Sequence, residues 1–230
     1  MIKIELSTGE KDIKLDNEKL ESVDHYIYLG QRISMQPSKE KEIVRRITLG
    51  WQAFGRASSI FKNDKIAMIL KRKVYDQCIL PTVTYGAETW NLTKKLSLKL
   101  RTMQRAHERI MLGITWKDHK TTKWIREKTG VSDILNTVAK LKWNWAGHVV
   151  RRTDNRWSTR LTQWTPRGHK RKRGRQKTRW RDDLDQFANE WHQLAINRKT
   201  WSTLGKAYVQ QRTIPADVIK HLLAYCRLHN

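Results

Sequence analysis

The sequence has few cysteines, no long apolar run and a shortage of acidic residues. Its two cysteines, Cys78 and Cys226, cannot form a disulfide framework and favour a reducing compartment. No apolar run approaches the about 20 residues that cross a bilayer, and the first residues lack the apolar stretch of a signal peptide. These absences argue against a disulfide-stapled secreted domain and predict an intracellular chain with no membrane partner.

The shortage of acids leaves a large excess of positive charge. The 230 residues hold 47 Lys and Arg against 22 Asp and Glu, a net charge of +25. Residues 1–90 hold 15 basic and 12 acidic residues, whereas residues 91–230 hold 32 and 10. Lys and Arg neutralise phosphates, so this excess predicts RNA or DNA as the partner, bound mainly by the second part of the chain.

The densest positive charge lies between residues 167 and 181, where nine of fifteen residues are Lys or Arg and none is acidic. Like charges this close repel one another and favour contact with a polyanion. The alternatives are a solvated loop and a nuclear-import signal, and the latter predicts a nuclear location. The residues predicted to bind nucleic acid are Lys170, Arg171, Lys172, Arg173, Arg175, Lys177 and Arg179.

Tryptophan is unusually frequent. Ten of the eleven lie between Trp90 and Trp201, most of them within three positions of Lys or Arg. Aromatic rings beside cations suit stacking on nucleic-acid bases, but they also suit packing between helices. Many of these residues fall at helical spacing, so we expect packing for most of them.

The predicted fold is mainly α, with a small antiparallel β segment over residues 1–35. Ile2 and Ile4 alternate with polar residues, as do Ile13 and Leu15 beyond a turn signal at residues 8–11, which predicts a hairpin. Helical periodicity follows. Predicted N-caps and breaks are Ser38, Asn63, Pro81, Thr93 and Ser132.

Several short motifs follow one another in a specific order. They are Tyr28-Leu29-Gly30, residues 85–90 (YGAETW), residues 145–149 (WAGHV), and Arg173-Gly174-Arg175 with Lys177, Arg179 and Trp180. From about residue 20 to about residue 208, this series resembles the C-terminal part of LINE-type, non-LTR retrotransposon endonuclease–reverse transcriptases.

The resemblance implies a division of the chain. Residues 1–35 would be the end of the palm, with Tyr28, Leu29 and Gly30 in the primer grip. Residues 36–113 would be a helical thumb, 114–150 linking helices, 151–181 the basic loop and 182–230 C-terminal helices. The thumb would hold primer–template duplex, and the later part template RNA or target DNA. The resemblance also makes a full-length retrotransposon polymerase a candidate partner.

Polymerisation requires carboxylates that hold Mg²⁺, and the family carries them in the palm, before the primer grip. Only 27 residues precede Tyr28, and they contain no aspartate pair. The expectation is therefore a remnant with no catalytic residue and no cofactor of its own, which does not polymerise alone. Whether it is an enzyme stays open.

Other functions were weighed against this one. A helical protein–protein module, or an inactive transposon-derived product with a nuclear-targeting loop, is the main alternative. Asp182, Asp183 and Asp185 could form a nuclease metal site, but acids in a first helical turn are the more ordinary interpretation. A zinc site at His221, Cys226 and His229 lacks a fourth ligand, and packing or capping is the favoured role for His148.

Overall fold

The computed structural model describes residues 3–4, 14–15, 18–19, 21–34, 38–154, 156–164 and 178–210. These residues form short strands followed by helices, so the predicted fold class, mainly α after a small β segment, is confirmed. The strands are β1 (Lys3–Ile4), β2 (Lys14–Leu15), β3 (Glu18–Lys19), β4 (Ser22–Val23), β5 (His25–Tyr28) and β6 (Gln31–Ser34).

The strands pair in three separate ladders. β5 and β6 form an antiparallel hairpin in which Tyr28 faces Gln31, and β2 pairs antiparallel with β3. β1 pairs parallel with β4, so the predicted hairpin between the strands of Ile4 and Leu15 is wrong. β2 pairs instead with the strand that follows it directly, and short connections cost less entropy to close.

The helices are α1 (Lys39–Arg56), α2 (Ser58–Phe61), α3 (Met68–Val74), α4 (Leu80–Thr84), α5 (Lys94–Met111), α6 (Thr122–Thr129), α7 (Ile134–Val150), α8 (Trp157–Gln163), α9 (Asp182–Phe187), α10 (Trp191–Ile196) and α11 (Arg198–Val209). A π-helical turn spans Tyr75–Ile79, and 3-10 turns span Ala87–Thr89 and Trp116–Asp118. Helical periodicity is missing from the sequence over residues 151–178, which predicts irregular structure, but α8 lies within this stretch and is helical.

Two predicted caps are confirmed. The Ser38 hydroxyl accepts from the Lys41 amide at the start of α1, and Thr93 accepts from the Leu96 amide at the start of α5. Each satisfies an amide that has no partner within the first turn of its helix.

Two other predicted caps lie elsewhere. Asn63 accepts from the Lys65 amide within a turn, and α3 begins only at Met68. The cap of α7 is Asp133 rather than Ser132, because the Asp133 carboxylate accepts two amides of the first turn.

Pro81 lies inside a continuous helical path rather than at its end. It is in the first turn of α4, directly after the π-helical turn Tyr75–Ile79. Proline has no amide hydrogen and its ring crowds the preceding turn, and a π-helical turn is a common way to absorb such a disruption. Pro81 is predicted to stop or kink the helix. The helix does not stop there; its backbone instead widens into the π-helical turn just before Pro81.

Two hydrophobic cores share α7. The first core packs α1, the path from α3 to α4, and α5 against the N-terminal half of α7, which contributes Ile134 and Val138. The second core packs α9, α10 and α11 against the C-terminal half of α7 around Trp143 and Ala146. The side chain of His148 is exposed in the last turn of α7, so of its two predicted roles packing is wrong and capping stays a prediction.

Candidate nucleic-acid interface

The turn between β5 and β6 carries the residues that the resemblance assigns to a primer grip. Tyr28 and Leu29 are 57% and 75% exposed. Gly30 has a φ of +76°, a conformation that glycine adopts without a side-chain penalty. The turn therefore presents an aromatic and an aliphatic side chain to solvent.

Two arginines of α1 hold this turn against the helices. A guanidinium nitrogen of Arg45 donates to the Gly30 carbonyl at 2.5 Å, and Arg46 donates to the same oxygen. Glu42 accepts from both arginines at 2.8 Å and from the Arg32 amide at 3.2 Å. Burial raises the pKa of Glu42, but these hydrogen bonds outweigh it and hold the pKa below its ordinary value.

Residues 85–90 (YGAETW), the connector that follows α4 on the way to α5, lie on the other side of the turn. The Tyr85 hydroxyl donates to the Leu29 carbonyl at 3.1 Å, and the Arg46 guanidinium lies 4.7 Å from the Tyr85 ring centroid. Gly86 has a φ of +72°, a left-handed conformation that favours glycine over residues with a side chain. Two motifs that are more than 50 residues apart in the sequence therefore meet around an open cleft of about 630 Å³.

Of the residues predicted to bind phosphates, Lys170, Arg171, Lys172, Arg173, Arg175 and Lys177 lie outside the described residues, and Arg179 lies within them. The Arg179 amide donates to Asp182 at 2.7 Å. The next residue, Trp180, donates from its indole to the Glu88 carbonyl at 2.7 Å. The C-terminal end of the basic segment, residues 167–181, is thereby attached to the connector 85–90.

A buried lysine of α7 completes this attachment. Lys142 is 3% exposed, and its ammonium donates to the Trp180 carbonyl at 2.5 Å and to both Asp183 oxygens at 2.6 and 2.8 Å. The same ammonium lies 4.9 Å from the Trp180 ring centroid. The Tyr208 hydroxyl also donates to Asp183 at 3.1 Å.

The three aspartates of α9 serve these contacts rather than a shared site. Asp183 pairs with Lys142, and Asp185 accepts from Arg181 and from the Trp191 indole. Over the described part of the chain, no three potential ligands lie close enough to hold a metal ion. Asp182, Asp183 and Asp185 lie in the first turn of α9, as the more ordinary interpretation expects, and His221, Cys226 and His229 lie outside the described residues.

A second basic cluster was missed from the sequence. Arg101, Arg105 and Arg109 follow one another at four-residue spacing on α5, and with Arg126 of α6 they line a cleft of about 430 Å³. Asp133 pairs with Arg105 and with Arg126. The signal in the sequence was the spacing itself, since residues four apart share a helix face.

The tryptophans range from buried through partly buried to exposed. Trp90, Trp143, Trp191 and Trp201 are at most 7% exposed, which confirms packing for these residues. Trp116, Trp157 and Trp164 are 75%, 73% and 63% exposed. Packing therefore does not account for all the tryptophans.

A polar cluster in the first core lies away from these surfaces. The Tyr75 hydroxyl lies 3.2 Å from Nδ1 of His107, and the His107 ring stacks on Phe54 with centroids 4.2 Å apart. Burial lowers the pKa of His107 to about 4 and raises that of Glu108, despite its pairing with Arg105. The histidine is therefore neutral at physiological pH and enclosed by the core.

The free energy of unfolding is expected to fall as the pH drops from the ordinary histidine pKa of 6.5 to about 4. In this pH range His107 binds a proton in the unfolded chain but not in the folded one. The free energy of unfolding that holds above pH 6.5 therefore falls by about 3 kcal/mol at most. Protonation of Glu108 opposes part of this loss.

Urea denaturation at several pH values measures the effect, with a His107→Gln variant as the control. The glutamine cannot titrate, so the variant should show a shallower dependence on pH. Parallel dependences for the two proteins would contradict a role for His107.

Comparison with known proteins gives one informative relative. The chain is 36% identical over 198 residues to a transposon-derived protein of Caenorhabditis elegans, and the match covers 80% of this chain and 70% of that protein. No protein-family model and no solved structure matches the chain. Within the described residues, no helix is both long and apolar enough to cross a membrane.

Proposed function

We propose that this chain grips RNA or DNA as the C-terminal portion of a LINE-type reverse transcriptase. The premise is that it belongs to the same transposon-derived family as the Caenorhabditis elegans protein. The chain binds phosphates through Lys170, Arg171, Lys172, Arg173, Arg175, Lys177 and Arg179. It works in the nucleus and does not polymerise alone, since the carboxylates for Mg²⁺ would belong to a palm.

The observation that carries this proposal is the convergence of two other motifs on the connector 85–90. The exposed turn at Leu29 bonds to Tyr85, and the anchor of the basic segment, Trp180, bonds to Glu88. Tyr85 and Glu88 are three residues apart. A strand held at the turn would therefore lie near the place where the basic segment leaves the helices.

Binding through phosphates has a measurable consequence. If about five phosphates are neutralised, the logarithm of the association constant should fall with the logarithm of salt concentration with a slope of about −3.5 to −4.5. In a variant with Arg171, Lys172, Arg173 and Arg175 changed to Ala, we expect the slope to become shallower by about 3 and the affinity at low salt to drop.

A control variant carries the same change of charge elsewhere, with Arg56, Lys62, Lys65 and Lys73, all exposed, changed to Ala. Equal weakening by both variants would indicate only a response to net charge and would contradict the assigned segment. A lost nuclear location with unchanged binding would favour a nuclear-targeting loop. Primer extension by the purified chain would refute the view that it does not polymerise alone.

A further inference from the structure

Helix α8 has its polar and apolar faces reversed. Trp157, Leu161 and Trp164 are 73%, 64% and 63% exposed, although they lie at positions i, i+4 and i+7 and so share one face. Trp164 occupies the C-cap position, directly after the last residue of the helix. Amphipathic helices of globular proteins turn their apolar stripe toward the core, whereas this one turns it to solvent.

The inward face of α8 consists of small polar side chains. Ser158, Thr159 and Thr162 are partly buried, and the Thr159 hydroxyl donates to the Val149 carbonyl at the end of α7 at 3.5 Å. One of these hydroxyls therefore attaches the helix to α7. Within the described residues neither core covers the aromatic stripe, and the two exposed indoles lie about 10 Å apart along the helix axis.

The surroundings of the stripe are positively charged. Arg152, Arg156 and Arg160 lie on α8 or just before it. Asp154, which pairs with Arg156, is the one acidic residue between positions 151 and 164, so an excess of positive charge is left. The Arg160 guanidinium lies 5.5 Å from the Trp157 ring centroid. An occupant that presents apolar faces and negative charge together complements this surface.

We propose that the stripe of Trp157, Leu161 and Trp164 is a stacking platform for the bases of a single-stranded nucleic acid, whose phosphates pair with the adjacent arginines. Every base has a π face that an indole can cover, and such stacking is tolerant of sequence. In a duplex these faces are covered by neighbouring bases, so the platform selects single strands. This inference rests on the proposed function and narrows it to the single-stranded part of the bound nucleic acid.

The test compares the intact chain with a Trp157→Ala, Trp164→Ala double variant. Its probes are a fluorescently labelled single-stranded 20-mer and a blunt duplex of the same sequence. Removal of each indole should weaken binding to the single strand by about 5-fold to 100-fold. Affinity for the duplex should stay within about two-fold, because phosphate contacts carry it.

Two control variants separate stacking from other effects. Trp116→Ala removes an indole that is equally exposed but lies outside the stripe, and it should leave both affinities unchanged. Trp157→Phe with Trp164→Phe keeps aromatic faces and should recover most of the single-strand affinity. Circular dichroism checks that helix content is constant.

Equal losses for single strand and duplex, or no loss for either, would overturn the platform. A change from dimer to monomer in light scattering, with unchanged affinity, would assign the stripe to a second copy of this chain and would also overturn it. An intact chain that binds neither probe refutes the proposed function itself. Binding that is intact in all variants refutes the platform alone.

Discussion

Replacing Gly147 with Ala is expected to destabilise the second core by about 3 kcal/mol, at the upper end of what overpacking costs. A Cβ at this position would lie 2.4 Å from Nε1 and 2.6 Å from Cδ1 of Trp201. Separations this short force either the indole or the helix backbone to move.

The indole of Trp201 has little room to yield. It stacks on Trp143 with centroids 3.5 Å apart and planes 3° from parallel. Each indole nitrogen donates to the carbonyl oxygen of the other tryptophan, at 2.9 and 3.0 Å. On the far side, a Cβ at Gly205 would lie 3.1 Å from Trp143, so the stack is confined on both faces.

Urea denaturation of the variant measures this effect, and Gly55→Ala in α1 is the matched control. No atom lies within 4 Å of a Cβ added at Gly55. Alanine is the better helix former, so this control should be neutral or more stable by up to about 1 kcal/mol. Equal midpoints for Gly147→Ala and the unaltered chain would show that the second core repacks freely.

Lys142→Met is expected to cost about 1–3 kcal/mol, the range for leaving hydrogen-bonding groups without a partner, because Lys142 is buried but the Asp183 side chain is 45% exposed and can be hydrated. The methionine fills similar space but donates no hydrogen bond. The Asp183 carboxylate would lose both bonds to the ammonium, and the Trp180 carbonyl would lose one. The anchor of the basic segment should therefore loosen together with the second core.

Lys140→Met is the control, because Lys140 is exposed on the same helix and surface substitutions change stability by about 0.5 kcal/mol or less. Denaturation gives the stability difference, and hydrogen exchange at residues 178–185 reports the anchor. Similar results for the two lysines would contradict a structural role for Lys142.

Features that depend on neighbours in the sequence were predictable. Ser38 and Thr93 cap helices because each hydroxyl reaches amides two or three residues ahead. Gly130 ends α6 at a φ of +60°, a position where glycine carries no penalty. Local geometry decides each of these cases.

Features that depend on distant partners were not predictable. Helical spacing from Val138 predicts that Trp145 lies on the apolar face of α7, yet Trp143 is the fully buried indole, because α11 supplies Trp201 to stack on it. The same spacing allows Leu141 or Lys142 on that face, but nothing in the sequence brings Lys142 together with Asp183 and the Trp180 carbonyl, which bind its ammonium. Only the three-dimensional arrangement brings such partners together.

The stacked pair of Trp143 and Trp201 also has an optical consequence. Two indoles held face to face 3.5 Å apart couple their electronic transitions in a rigid, asymmetric environment, so the near-ultraviolet circular dichroism should change when the pair separates. Because Trp90 of the first core stacks on no other indole in the described structure, the signal of the coupled pair reports the second core alone. Its loss on heating would therefore show whether the two halves that share α7 melt together or one after the other.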